Sequence, residues 1–189
     1  MNKYAIAVMS LDRVGIISSV TGTILKLGGN MDKMSQTVMD GCFTILITAV
    51  FPDETIPEEV RRAIEEEGDR FHLDVSVRPY RDPMDTPTPA RQNVYFLTVT
   101  GHDRKGIVHE ITSSLASHGI NILDLYCFIR ETENFVLIGE IDIPDQYDLQ
   151  QVQIDLEEAA EQDLAVRIQH ENFFRATNEL YISRRAQGL

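Results

Sequence analysis

The strongest constraint on this chain is a segment that it carries twice. Residues 12–31, DRVGIISSVTGTILKLGGNM, align without a gap on residues 103–122, DRKGIVHEITSSLASHGINI, at an offset of 91 positions. Seven of the twenty pairs are identical: Asp12/Asp103, Arg13/Arg104, Gly15/Gly106, Ile16/Ile107, Thr21/Thr112, Gly28/Gly119 and Asn30/Asn121. Unrelated stretches of average composition would share about one. An internal duplication accounts for the match, and it divides the 189 residues into two units with one architecture.

Each copy reads in the same order. KYAIAVMS and NVYFLTVTG are apolar runs of strand length. The Asp-Arg pair is followed by a helical stripe, Val14, Ile17, Val20, Ile24 and Leu27 in the first copy and Ile107, Ile111 and Leu115 in the second. Gly28-Gly29 and Gly119 stand where a left-handed C-terminal cap belongs, and Asn30 and Asn121 then open a second strand. Asp40-Gly41 is a strong two-residue hairpin signal; Glu131-Thr132-Glu133-Asn134 is its looser counterpart. A second helix follows in each copy. Thr55 and Glu58 fit a capping box ahead of inward-facing Val60, Ala63 and Ile64, and Leu149, Val152, Leu156 and Ala159 match them in the other copy. Each unit closes on alternating apolar residues, Leu73, Val75 and Val77 or Leu164, Val166 and Ile168.

Strand, helix, strand, strand, helix, strand is the ferredoxin-like βαββαβ order. The expected fold class is therefore α+β: two tandem domains, each an antiparallel sheet with both helices on one face. The expected boundaries are 1–81 for the first domain, 82–91 for a linker rich in proline (Pro83, Pro87, Pro89), 92–172 for the second domain and 173–189 for a tail. Phe173, Phe174 and Tyr181 in that tail either pack back on the domain or cover a partner. A lone four-stranded unit leaves its edges open. This predicts that the copies pack side by side into one eight-stranded sheet or pair similarly across a homodimer.

Charge narrows the function. Residues 92–171 hold 15 acidic and 4 basic side chains, which is −11 of the chain's −13. Such a surface repels phosphate backbones, so no direct nucleic-acid binding is expected. No apolar run is long enough to cross a bilayer, and Met1-Asn2-Lys3-Tyr4 leads straight into a strand-like segment without a secretory pattern. No membrane association is expected, and a cytoplasmic location is. Cys42 and Cys127 form no zinc or CxxC spacing. They read as buried free thiols in a reducing compartment, with a disulfide as the alternative. His72, His102, His109, His118 and His170 never fall in an HxxxH arrangement, and neither GxGxxG nor GxxxxGK[ST] is present. No metal, no cofactor and no catalytic residue is expected.

An Asp-Arg-x-Gly-Ile element at the first strand–helix junction, followed by Asn-Met or Asn-Ile at the second strand, resembles the ACT domain. The resemblance extends over nearly the whole chain, twice. The tandem layout is similar to that of glycine cleavage system transcriptional repressors, and SQTVMDGCFTI (35–45) and IQHENFF (168–174) resemble short stand-alone ACT proteins. This likeness implies a regulatory module that binds an amino acid at interfaces between copies. It carries the site onto Asp12, Arg13, Val14, Gly15, Ile16, Asn30 and Met31, and onto Asp103, Arg104, Lys105, Gly106, Ile107, Asn121 and Ile122.

The chemistry of these residues agrees. A helix N-terminus offers unpaired N–H groups to a carboxylate, glycine lets a ligand approach the backbone, and aspartate accepts from an ammonium group. The plainer readings are that Asp12 and Asp103 cap their helices, that Arg13 and Arg104 are solvated or paired with an acid, and that Ile16 and Ile107 are core. The likeness implies a non-catalytic regulator acting through a partner protein, in transcription or amino-acid metabolism. The alternative is a ligand-free protein–protein interaction module. An enzyme is the weakest reading, because the catalytic domains that accompany ACT units elsewhere find no room in this chain.

Overall fold

A four-stranded sheet buries one face when helices run back across it, and both copies arrange this in the same way. The computed structural model describes residues 1–81, 93–130, 134–160 and 164–170. In the first copy the elements are β1 (Asn2–Leu11), α1 (Ile16–Lys26), β2 (Asn30–Met39), β3 (Cys42–Phe51), α2 (Pro57–Glu67), a 3-10 turn (Asp69–Phe71) and β4 (Asp74–Pro79). In the second they are β5 (Val94–His102), α3 (Ile107–Ser117), β6 (Asn121–Arg130), β7 (Asn134–Asp142), α4 (Leu149–Ala159) and β8 (Leu164–His170). The sheets have the orders β2-β3-β1-β4 and β6-β7-β5-β8 with every pairing antiparallel, the expected βαββαβ twice. The chain divides into two compact units, Met1–Thr88 and Pro89–Leu189. The proline-rich linker, the 131–133 turn and the tail with Phe173, Phe174 and Tyr181 lie outside the described residues.

The core of each unit lies between helices and sheet. Ile6, Val8, Phe43, Ile45, Ile47 and Ala49 from the sheet meet Ile16, Val20, Ile24, Val60 and Ile64 from the helices. Leu97, Val99, Leu137 and Ile141 meet Ile107, Ile111, Leu115, Val152 and Leu156 in the second unit. Both sets combine a period of two with a period near 3.6, as expected of strands and helices sharing one interior.

Local signals set the reversals. Asp40 and Gly41 both have positive φ, +49° and +77°, the signature of a type I′ hairpin, and Met39 pairs directly with Cys42 across it. Both first helices end in a Schellman motif. Gly28 N–H donates to Leu25 O and Gly29 N–H to Ile24 O; Gly119 and Ile120 donate likewise to Ala116 and Leu115.

Several expectations need correction. Helix α1 starts at Ile16, so Val14 lies before it and is fully exposed, and Ile17 is turned from the core; the buried stripe is Ile16, Val20, Thr23 and Ile24. Thr55 forms no capping box. Pro57 at N1 places the cap at Ile56, Glu58 binds Arg61 instead, and the Thr55 carbonyl accepts from the buried Tyr4 hydroxyl at 2.7 Å. Ala160 rather than Ala159 is the buried alanine after Leu156. Both cysteines are free and exposed, because Cys42 adjoins a hairpin tip and Cys127 lies on the edge strand β6.

Helices α3 and α4 are clamped by His118. Its Nδ1 faces the Ser114 carbonyl at 2.8 Å and its Nε2 faces the Asp155 carboxylate at 2.8 Å, with Tyr147 edge-on to the ring. Two acceptors call for two N–H donors, which is the imidazolium form. The Ser114 carbonyl first, then Asp155, hold the histidine above its ordinary range. The clamp's contribution is therefore complete below the ordinary histidine value and is lost as pH rises through the raised one. Thermal unfolding of the second unit should lose stability as pH rises above the ordinary histidine value of about 6.5, and His118→Gln should flatten that slope. Backbone strain gives a second check. Gly119 has φ +63° with open space where a Cβ would stand. Gly119→Ala should then cost roughly 1–2 kcal/mol from backbone strain alone, measured by urea unfolding.

Candidate functional site

The β1–α1 loop takes its shape from two fixed points. Asp12 N–H donates to Gly41 O at 2.8 Å, tying the end of β1 to the hairpin tip. Gly15, at φ +104°, then turns the chain into α1 as its N-cap, and Gly106 does the same for α3 at φ +98°. Residues with a Cβ rarely adopt this region, so the glycine is demanded by backbone shape. The Gly15 carbonyl accepts from Ser19 N–H and the Gly106 carbonyl from Glu110 N–H, each at 2.9 Å. Neither helix has a side-chain cap. Asp12 and Asp103 are therefore not N-caps: each lies three residues before the cap, too early to reach the first-turn N–H groups.

Above Gly15 lies a groove of about 480 Å³, lined by Gly15, Ser18, Ser19, Gly22 and Lys26 of α1 with Glu67 and Arg70. The Lys26–Glu67 ion pair closes one end at 2.7 Å. At the other end Arg70 stacks on Phe71, 4.4 Å from the ring centre, with Nη2 only 3.5 Å from where a Gly15 Cβ would stand. A guanidinium thus sits over the positive end of a helix, and both attract an anion.

The second copy fills the same place differently. Arg104 donates to both carboxylate oxygens of Glu110, at 2.8 and 2.6 Å, and to Ala160 O at 3.3 Å. The hydrogen bond from Arg104 holds the Glu110 carboxyl below its ordinary range.

The remaining residues expected at the site divide into two groups. Arg13, Val14 and Lys105 are exposed on the loops. Ile16 and Ile107 are the first buried residue of each helix. Asn30, Met31, Asn121 and Ile122, however, begin the edge strands at the far end of the sheet: Asn30 pairs with Val50, whereas Leu11, next to Asp12, pairs with Cys42. Eight steps along β3 separate those partners, about 26 Å. Within one copy the structure does not bring the asparagine to the aspartate. Met31 and Ile122 each flank a β-bulge at equivalent positions, and all ten residues of β2 are exposed. Arg70, Ser18, Ser19 and Glu110 were not expected at the site. Ser19 against Glu110 is visible at the 91-residue offset, but Arg70 arrives only through tertiary packing.

Comparison with known proteins gives this geometry relatives. The ACT domain model matches residues 95–169. UPF0237 proteins of Methanosarcina mazei and Methanosarcina acetivorans are each 31% identical over 78 residues, spanning 41% of this chain and 85% of theirs. Among solved structures, an unknown protein from Galdieria sulphuraria superposes with a TM-score of 0.70 at 19% identity, over 89% of this chain and 98% of that one. A protein assigned as a glycine cleavage system transcriptional repressor gives 0.68 at 16% identity, over 89% and 96%. At such identities the two structures speak to the fold.

The capping geometry predicts a contrast in stability. Asp12→Asn should leave the unfolding free energy within about 0.5 kcal/mol of wild type, whereas Gly15→Val should cost roughly 1–2 kcal/mol or more. Denaturant titration of both variants measures it.

Proposed function

We propose that this chain, which belongs to the ACT-domain family, is a non-catalytic sensor of a small zwitterion, an amino acid. The observation that carries the reading is the duplicated loop, in which a left-handed glycine opens a helix N-terminus three residues after an aspartate, exposed at Asp12 and half-buried at Asp103. The helix end and Arg70 suit the ligand's carboxylate, and Asp12 suits its ammonium group.

The separation of Asn30 from Asp12 favours a site shared between two copies. Antiparallel pairing of two β2 edges would set the Asn30 end of one strand beside the Met39 end of the other. Met39 leads into the Asp40-Gly41 tip, whose carbonyl already holds Asp12. Such pairing would complete the site from Asp12, Arg13, Gly15 and Ile16 of one copy and Asn30 and Met31 of the next, and would also cover the open edge. A homodimer is the assembly this predicts.

Occupancy would be relayed to a partner protein, since an acidic surface disfavours direct contact with DNA. Likeness to the glycine cleavage repressor points to control of transcription or amino-acid metabolism. A second reading, an interaction module without ligand, is favoured by the apolar side chains Met31, Met34, Val38 and Met39 exposed along β2.

Isothermal calorimetry against the twenty amino acids separates the two. The sensor should bind at least one of them, and Asp12→Asn should weaken that binding by roughly 1–3 kcal/mol, the range of a charge-assisted hydrogen bond, with no loss of melting temperature. Silence across the whole panel would leave the interaction module.

A further inference from the structure

The two copies do not present the same chemistry at this loop. Position 19 of the first corresponds to position 110 of the second. Ser19 is short, and its hydroxyl turns away to the Glu67 carbonyl at 3.4 Å, leaving the start of α1 open beneath Arg70. Glu110 carries a carboxylate at the same helical position and folds it back over its own N-terminus. One carboxylate oxygen stands 3.1 Å from where a Gly106 Cβ would be. Arg104 grips both oxygens and is itself held by the Ala160 carbonyl. The pair is sheltered, with the two side chains 26% and 31% exposed.

Carboxylate and guanidinium complete each other there beside the helix N-terminus, as they would around a bound amino acid. The difference is that the carboxylate belongs to the protein. We infer that the second copy is self-occupied: Glu110 takes the place of a ligand's carboxylate at the α3 N-terminus, and the first copy alone is open to one. What the open loop binds rests on the amino-acid reading above; the occlusion of the other does not.

Strength of hold supports this. A bidentate guanidinium–carboxylate pair is among the stronger polar contacts, and an intramolecular partner acts at an effective concentration of millimolar or more. Glu110 is ionised at neutral pH and Arg104 lowers its carboxyl further, so the internal anion does not release itself by protonation. A free carboxylate competing for Arg104 must displace a group that never diffuses away.

The test uses acetate as the carboxylate probe and glycine as the zwitterion, followed by backbone amide NMR of the full chain. In wild type, acetate should shift the amides of Gly15 to Ser18 and leave those of Gly106 to His109 unmoved. Glu110→Ser, which copies the first loop, should give the α3 amides a saturable response at least about tenfold tighter than wild type. Glu110→Gln keeps the shape without the charge and should do the same more weakly, guarding against a folding defect in the serine variant. Ser19→Glu should silence the α1 loop. A wild type that responds equally at both loops, or folded Glu110 variants that stay silent at α3, would overturn the inference. Failure of the α1 loop to respond to glycine would instead sink the amino-acid reading, while the Glu110 variants still report on the occlusion.

Discussion

A strand that feeds a helix packed back on its own sheet must reverse direction within a few residues, and here a single left-handed glycine carries that reversal in each copy. Gly15 and Gly106 have nearly the same dihedral angles, φ +104° and +98°. From this one constraint much else follows. The residue after the glycine becomes the first buried side chain, so Ile16 and Ile107 anchor their helices to the sheet from the first turn. The helix N-terminus is left without a side-chain cap, and its N–H groups remain available to something else. In the second copy that something is on hand, a carboxylate four residues along the same helix. In the first, Ser19 stands at that position, and its hydroxyl turns to the Glu67 carbonyl.

The fold was legible because it is written in local rules. Alternation along Leu73, Val75 and Val77, the Asp40-Gly41 turn and the glycines closing α1 and α3 each act within a few residues, and each acts the same way twice. Errors arose where two local signals competed. A threonine three residues before a glutamate resembles a capping box, yet Pro57 starts α2 one residue too late for Thr55 to serve. Val14 falls on the helical stripe by spacing, but the left-handed Gly15 lies between it and the helix. Met31, Met34 and Val38 are exposed on β2, which lies at the edge of the sheet. No pattern within β2 itself distinguishes an edge from a centre.

The site was less legible than the fold. The loops were marked by their repeated residues, but their roles were not. Asp12 and Asp103 read naturally as caps, and the glycines displaced them from that task. Arg70 reaches Gly15 from beyond α2, and Arg104 reaches Glu110 across a turn; no spacing rule foretells either contact. The asparagines share a repeated segment with the aspartates, yet an 11-residue helix carries them to opposite ends of the sheet.

Divergence between the copies also runs in their charge. Residues 1–80 carry 12 acidic and 8 basic side chains, and residues 92–171 carry 15 and 4. An anion approaching the second unit meets the more adverse field and then a cation already paired, so long-range and short-range electrostatics favour the same outcome. A duplicated domain is usually taken to double the number of sites. If Glu110 occupies the second loop as inferred above, each chain would keep one loop open to a carboxylate. Cooperativity would then have no second site within the chain to act on, and any coupling between binding events would have to pass between chains.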